Sequence, residues 1–211
     1  MQAAQTIRWG WKAAALLLIS SVLSGCGINK IPTLDEQVKA AWAQVQNQYQ
    51  RRADLIPNLV EVVKGYAAHE QDTLTAVIEA RAKATSIQVD ASTLDNPEKL
   101  KQFQQAQEGL SGALSRLMVV SERYPTLQAN QAFRDLRVTL EGTENRITVA
   151  RNEYIGTITA YNILVRSFPT NLTAKVFSYP AKPTFTVHNE AQISAPPSVD
   201  FSAPAAPSAK P

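Results

Sequence analysis

The sequence predicts an all-α protein built as an antiparallel four-helix bundle, with a long kinked first helix, a long last helix and an extended C-terminal segment. Only 8 of the 211 residues are glycine, and the helix-favouring residues Ala, Gln, Leu, Glu and Arg are abundant. Apolar residues recur at steps of three, four and seven in four separate segments. Each segment therefore has one apolar stripe, which a helix can bury only by packing against others.

The N-terminal residues 1–25 have the pattern of a lipoprotein signal peptide. Arg8 and Lys12 supply positive charge, and residues 13–23 form an almost unbroken apolar run that ends in small residues. A membrane-spanning helix needs roughly 20 apolar residues, about twice the length of this run. We therefore expect this segment to direct export without anchoring the chain.

Cys26 is the only cysteine and directly follows Leu23-Ser24-Gly25. This order resembles a bacterial lipobox, in which the thiol is acylated and the mature protein begins at the cysteine. The resemblance implies that Cys26 is a lipid attachment point, and two or more acyl chains give stable membrane attachment. The alternative is a buried thiol behind an ordinary cleavage site.

The residue after this cysteine bears on the membrane involved. Gly27 stands where, by the enterobacterial sorting rule, an aspartate would retain a lipoprotein in the inner membrane. The rule thus favours the outer membrane, with the protein facing the periplasm. Residues 26–34 are expected to form a lipidated tether.

The first helix is predicted to begin after Thr33 and to continue through Pro57. Proline removes one backbone donor and clashes with the carbonyl four residues earlier, but the apolar stripe keeps its phase across it. This favours one kinked helix over two separate ones. The predicted buried stripe consists of Val38, Trp42, Val45, Tyr49, Ile56, Leu59, Val63 and Tyr66.

Three further helices follow. A turn around residues 65–72 precedes the short second helix, and Pro97 suits the first position of the third helix. Pro125 is expected to end the third helix and Pro169 the fourth. The stripes are Leu74, Val77, Ile78, Arg81 and Ala84 in the second helix; Leu100, Phe103, Leu110, Leu114, Leu117, Val120 and Tyr124 in the third; and Phe133, Leu136, Leu140, Ile147, Tyr154, Ile158, Tyr161, Val165 and Phe168 in the fourth.

The C-terminal part of the sequence is not helical in pattern. Residues 178–188 alternate weakly between apolar and polar side chains, which predicts an extended segment that could lie across the bundle. Residues 189–211 are rich in Pro, Ala and Ser and contain hardly any large apolar residue. Such a composition cannot bury enough surface to offset ordering entropy, so this tail is predicted to be disordered.

Charge and cysteine content exclude several classes of function. Without Arg8 and Lys12, the 21 basic residues of the chain become 19, against 18 acidic ones. The two signs are mixed along the chain, whereas a nucleic-acid-binding protein would show a basic stripe with interleaved aromatic residues. We therefore expect no nucleic-acid partner. With Cys26 acylated, no thiol is left for a disulfide.

The sequence contains no set of residues that predicts catalysis or a cofactor. His69-Glu70 would need a second histidine at Thr73 to resemble a zinc protease, and neither His69 nor His188 follows a glutamate at the spacing of a di-iron site. Phosphate-binding glycine loops and nucleophile motifs are absent from the sequence. We expect no metal, no cofactor and no enzymatic activity.

Arg52 falls on the apolar stripe of the first helix, where a charge is costly unless it is paired. Arg137, Glu144 and Arg151 follow at steps of seven along the flank of the fourth stripe. We hypothesise that Arg52 forms an internal ion pair with Glu144. The alternative is that the arginine extends along the apolar surface to reach solvent.

A polar stripe formed by Arg51, Asp54 and Asn58 adjoins this arginine on the first helix. Polar residues on a rigid helix suit a modest protein interface, so these three are candidate partner-contact residues. The alternative is that such polar residues only fix the register of the helices.

Two groups of motifs in the sequence are typical of a known family. The run Tyr-Gln-Arg-Arg-Ala-Asp-Leu-Ile-Pro-Asn-Leu-Val at Tyr49–Val60, with Val63–Ala67 and His69-Glu70, resembles the first signature of the LemA family. Ile155 departs from the family pattern, which commonly has asparagine there. The motifs that resemble the second half of the family are Leu114–Leu117, Glu122–Pro125, Leu140–Ile147, Ala150-Arg151, Tyr161-Asn162 and Phe168–Asn171.

The resemblance spans residues 35–177 and implies a LemA-like helical bundle in a membrane-attached envelope protein, without an assigned activity or cofactor. We therefore expect a non-catalytic, lipid-anchored scaffold or adaptor in envelope assembly or maintenance. Its partners would be the membrane, through acylated Cys26, and an unknown envelope protein or a second copy of the chain. The alternative is a periplasmic small-molecule-binding or sensor bundle with a pocket lined by Tyr49, Tyr66, Tyr154 and Tyr161.

Overall fold

The computed structural model describes residues 29–87, 90 and 94–185, and this part of the chain is all-helical, with no strand. The predicted all-α class is confirmed. The described residues form six helices where four were predicted, because two short helices occur beside the prolines expected to end the longer ones. The helices are α1 (Lys30–Tyr66), α2 (Gln71–Ser86), α3 (Pro97–Ser121), α4 (Pro125–Ala129), α5 (Gln131–Arg166) and α6 (Thr170–Val176).

The two short helices show what these prolines do. α3 already ends at Ser121, and Pro125 opens α4, because proline fits the first turn of a helix where no backbone donor is needed. Pro169 lies between α5 and α6 as the residue that precedes the first helical residue, Thr170. Each proline therefore stands at the start of a short helix, and the long helix before it ends three or four residues earlier.

α1 begins at Lys30, earlier than the sequence pattern indicated. The expected tether of residues 26–34 is thus helical from Lys30 onwards, and the reason is the fully buried Ile31, which belongs to the core. Pro57 lies inside one continuous helix. Cys26 and the proposed signal peptide lie outside the described residues.

Cross-helix contacts define how the long helices run. Trp42 packs against Tyr154, Arg52 contacts Glu144, and Tyr66 accepts a hydrogen bond from Asn130. Sequence position rises along α1 as it falls along α5, so these two helices are antiparallel. α2 packs mainly against α3, and both contact α1.

The core consists of two apolar clusters along the length of the helices. One joins the first half of α1 to the second half of α5 and includes Trp42, Phe103 and Tyr154. The other joins the second half of α1 to α2, the second half of α3 and the first half of α5. Most predicted stripe residues are buried in these clusters, but Tyr66, Ile78 and Phe168 are exposed, contrary to the prediction.

The segment after α6 crosses the surface of α5 without helix or strand up to Phe185, the last described residue. The Tyr161 hydroxyl donates to the Pro180 carbonyl at 3.1 Å, and the Asn162 side chain bonds both the carbonyl and the amide of Lys182. Phe185 completes the first apolar cluster beside Trp42. The predicted disordered tail, residues 189–211, lies outside the described residues.

Candidate functional site

Arg52 lies on the inner face of α1 and is 1% exposed. Its Nη1 atom donates to Oε1 of Glu144 on α5 at 2.7 Å and to Oγ of Ser111 on α3 at 2.6 Å. The structure therefore brings together the two residues of the hypothesised ion pair. The arginine does not extend to solvent; Glu144, which is 44% exposed, is the partner at the surface.

The second terminal nitrogen of this arginine binds α3. Nη2 donates to the side-chain oxygen of Gln107 at 2.6 Å and to its carbonyl at 3.2 Å. The Gln107 amide in turn donates to the carbonyl of Ala84, one of the last four residues of α2, whose carbonyls lack intrahelical donors. Arg52 is thereby linked, directly or through Gln107, to all four long helices. We call Arg52, Gln107, Ser111 and Glu144 the Arg52 cluster.

The Arg52 cluster separates the two apolar clusters. On α1 the first apolar cluster ends at Tyr49 and the second has Ile56 as its first fully buried residue. On α5 Glu144 lies between Leu140 of the second cluster and Ile147 of the first. A shift of α1 against α3 or α5 would take Arg52 away from these partners, so we expect the polar layer to favour one register of the helices.

The ring of Tyr49 also faces this charge, with its centroid 5.1 Å from Cζ of Arg52. The Nε atom of Arg52 is buried and has no hydrogen-bond partner among the described residues. A cavity of about 80 Å³ beside the Arg52 cluster is large enough for water and also has Glu108 and Arg151 in its lining. Two arginines and two glutamates balance there, which makes the site neutral in formal charge.

Arg51, Asp54 and Asn58 are all exposed along the outer side of α1. Oδ1 of Asp54 accepts a hydrogen bond from the Gln50 amide at 2.7 Å, within the same helix. The three residues therefore lie along one exposed side of the helix whose inner face carries Arg52.

A second cavity of about 310 Å³ opens between α1, α3 and the end of α2. Amide side chains and two aromatic rings line it. The lining includes Gln46, Asn47, Tyr49, Gln50, Thr85, Phe103 and Gln107.

The four tyrosines proposed to line a common pocket lie apart. Tyr154 and Tyr161 are fully buried, and their hydroxyls donate to the carbonyls of Pro183 and Pro180. Tyr66 is exposed at the end of α1, 17 residues or about 25 Å along the helix from Tyr49. The structure contradicts a shared tyrosine pocket, because two of these rings hold the C-terminal segment instead.

Lys182 in the C-terminal segment is a second buried charge, and no sequence pattern predicted it. Its Nζ atom lies 2.7 Å from Oδ1 of Asp95 and 3.1 Å from Oδ1 of Asp35 on α1, and 5.4 Å from the centre of the Tyr161 ring. Asp35 also pairs with Lys39 at 2.8 Å. Nothing in the local sequence around Lys182 signals these contacts, since its partners come from distant parts of the chain.

These interactions shift the pKa of the groups involved. Burial raises the pKa of the Asp35 carboxyl, but hydrogen bonds from Lys39 and Lys182 outweigh it and hold the pKa below its usual value. Burial, assisted by the charges of Asp35 and Asp95, raises the pKa of the Tyr161 hydroxyl to about 12. Both groups also contact the C-terminal segment, Asp35 through Lys182 and Tyr161 through the carbonyl of Pro180.

The described residues contain no group of three or more His, Cys, Asp or Glu side chains that could hold a metal ion. His69 is exposed in the turn between α1 and α2. No helix in the described ranges is both long and apolar enough to span a membrane.

Comparison with known proteins identifies related chains. This chain is 26% identical to magnetosome protein MamQ 2 of Paramagnetospirillum magneticum over 167 residues, which cover 72% of this chain and 61% of that protein. It is 24% identical to magnetosome protein MamQ of Magnetospirillum gryphiswaldense over 82% of this chain and 72% of that protein. Protein LemA of Metamycoplasma hominis is also 24% identical, over 70% of this chain and 63% of that protein.

The first of these relatives is longer than the matched region, since the match spans 61% of its length. The LemA family model matches residues 41–201, about three quarters of the sequence. The match includes α1 from Ala41 onwards, all of α2 to α6 and the segment that crosses α5. The chain belongs to the LemA family.

Proposed function

We propose that this protein is a non-catalytic, lipid-anchored scaffold or adaptor of the cell envelope. Acylated Cys26 attaches it to the membrane, placed by the sorting rule at the outer membrane with the helices facing the periplasm. Its four long helices, α1, α2, α3 and α5, form an antiparallel bundle. Membership of the LemA family and the relatives named MamQ and LemA support a membrane-associated helical protein.

The observation that carries this proposal is the way the Arg52 cluster holds α1. Arg52 fixes this helix from inside through α3 and α5, while Arg51, Asp54 and Asn58 remain exposed on its outer side. A helix held in one register presents these polar groups in a fixed arrangement, which lowers the entropic cost of binding a partner. Charged groups of the Arg52 cluster are engaged in structural contacts, which supports a role without turnover.

The proposal is tested by photo-crosslinking in living cells. A benzoylphenylalanine probe is placed at Arg51, at Asn58 or, as a control, at Val119, an exposed residue of α3. Cys26 is kept intact, and the products are identified by mass spectrometry. We expect one envelope protein to be captured from Arg51 and Asn58 and not from Val119.

A second variant makes the result specific to the polar stripe. Asp54→Ala should abolish the crosslink from Arg51, because the carboxylate lies one turn along the same exposed surface. Crosslinks only between copies of this chain would favour self-assembly. Equal capture of many proteins from Arg51 and Val119 would contradict the adaptor role.

The 310 Å³ cavity favours a second candidate function, that of a small-molecule-binding or sensor bundle. Its amides and aromatic rings could bind a polar ligand of modest size. A ligand at 100 times its dissociation constant stabilises the folded state by about 2.7 kcal/mol, which a thermal melt detects. Gln50→Ala and Thr85→Ala should remove that stabilisation without changing the crosslinks from Asn58.

A further inference from the structure

Large apolar side chains are exposed together around α6. Phe168, Leu172, Val176 and Phe177 are 56 to 80% exposed. Leu172 and Val176 are four residues apart in α6 and therefore lie on one face of the helix, while the two phenylalanines flank its ends. Four such residues within ten positions form an apolar surface of the kind that marks a contact site. We call these four residues the α6 surface.

The α6 surface lies at the end of the molecule where α1 begins. The side chain of Lys182 binds Asp35 of α1, and its backbone binds Asn162 of α5. Asp35 and Asn162 therefore lie at about the same height along the two helices. One turn farther along, α1 begins at Lys30 and α5 ends at Arg166. The Thr170 hydroxyl donates to the Leu164 carbonyl at 2.7 Å and holds the start of α6 against this end of α5.

The proposed lipid attachment point is close to the same end. Cys26 precedes Lys30 by four residues, and a fully extended chain of that length spans at most about 14 Å. An acylated Cys26 in the membrane interface would therefore keep the start of α1, and with it α6, close to the lipid.

The charge of this region fits an anionic lipid surface. From Tyr154 to Phe185 the sequence contains three basic residues and no acidic residue. Lys182 is buried by its partners, but Arg166 and Lys175 are exposed beside the α6 surface. Basic residues near the surface of an anionic membrane are attracted to it.

We propose that the α6 surface inserts into the interface of the lipid bilayer to which Cys26 is attached and so fixes the orientation of the bundle on the membrane. This inference rests on the lipid anchor of the proposed function. The occupant is lipid because the anchor, the apolar side chains and the exposed basic residues all meet at one end of the molecule. Side chains such as Leu172 enter the headgroup boundary by about 5–10 Å, as in other interfacial helices.

Site-directed spin labelling of the full-length lipidated protein tests the proposal. Because Cys26 is the only cysteine and is acylated, a cysteine introduced by Leu172→Cys or Val176→Cys is the one free thiol. The matched control is Val149→Cys on α5, which is 66% exposed. The labelled proteins are reconstituted into vesicles of phosphatidylethanolamine with a minority of phosphatidylglycerol, and collisions with oxygen and with a water-soluble nickel complex are measured.

We expect the labels at Leu172 and Val176 to favour oxygen several-fold over nickel, and the label at Val149 to remain fully accessible to nickel. If protein that floats with the vesicles showed equal accessibility at all three positions, insertion of the α6 surface into the bilayer would be refuted, but the lipid anchor would not. Protein that does not float would overturn the lipid anchor and this inference with it. Labels at Leu172 and Val176 that neither reagent reaches would show a protein, such as a second copy, covering the surface.

A charge reversal provides an independent measurement. Arg166→Glu combined with Lys175→Glu should reduce the oxygen preference of the Leu172 label, because the altered surface is repelled by anionic lipid. Lys64→Glu combined with Lys83→Glu changes the net charge equally but lies away from α6, and should leave that preference unchanged. An identical response to both double variants would overturn the charge argument.

Discussion

The Nε atom of Arg81 donates a hydrogen bond of 2.8 Å to the carbonyl of Ala53, the backbone acceptor that a proline in α1 leaves without its usual donor. In a helix the carbonyl of Ala53 would accept from the amide four residues later, which is Pro57 and has no N–H group. A side chain from α2 replaces the missing donor. The same hydrogen bond also connects α2 to the middle of α1.

This relationship predicts that the contributions of Arg81 and Pro57 are coupled. Arg81→Met keeps the apolar stem but removes the donor, and should lower the free energy of unfolding by about 1.5–3 kcal/mol, as for other hydrogen bonds to charged groups. In a Pro57→Ala background the backbone amide is restored, so the same change should cost markedly less. Urea unfolding of the four proteins in a double-mutant cycle measures the coupling. Equal costs in both backgrounds would refute it.

The Arg52 cluster predicts an unequal effect of two glutamate substitutions on α5. Glu144→Gln leaves the buried guanidinium without its counter-charge, and should lower the free energy of unfolding by about 1–3 kcal/mol, less than for a fully buried pair since Glu144 is partly exposed. Glu141→Gln breaks a surface pair with Arg137 and should cost less than about 0.5 kcal/mol. Urea denaturation at neutral pH compares them. Indistinguishable costs would show that the Arg52–Glu144 contact is not a structural clamp.

Much of the fold follows from local sequence signals. Apolar periodicity located the four long helices, because burial of one stripe per helix dominates their stability. The short helices α4 and α6 were missed, since five to seven residues give too little periodicity to recognise. The exposure of Phe168 was missed for a different reason: Phe168 continues the apolar stripe of α5 in sequence but lies beyond the last helical residue, Arg166.

The contacts of the candidate site could be anticipated only in part. Arg52 stood out because a charge on an apolar stripe needs a partner, and the step-of-seven position of Glu144 suggested which one. The other partners are Gln107 and Ser111, polar residues of a kind that also occurs on exposed faces, so their type alone gave no signal. Lys182 could not be assigned, because its acidic partners are brought to it only by the packing of the C-terminal segment.

The lowered pKa of the Asp35 carboxyl predicts how the stability of the folded protein declines in acid. A carboxyl whose pKa is lower in the folded state contributes stability above its unfolded pKa of about 3.9, and loses it as the pH falls through the folded value. Asp35→Asn should therefore lower stability at neutral pH and flatten its decline below about pH 4. Glu36→Gln, at the exposed neighbour that contacts the same Lys39, should change neutral stability little. Urea midpoints between neutral and acidic pH test this, and parallel curves for Asp35→Asn and the unaltered protein would contradict it.

The raised pKa of the Tyr161 hydroxyl predicts a loss of stability at alkaline pH. Burial raises its pKa to about 12, so the folded state keeps the phenol proton more tightly than the unfolded chain, in which the pKa is about 10. Its contribution to stability is complete below about pH 10 and is lost as the pH rises towards 12. Tyr161→Phe should lower neutral stability by about 1 kcal/mol through loss of the bond to Pro180, and flatten the alkaline decline. Asn162→Ala is the control, because it releases Lys182 without removing a titrating group, and should lower the urea midpoint without flattening that decline. If the two variants showed the same slope between about pH 10 and 12, deprotonation of Tyr161 would not be the cause of the alkaline loss of stability.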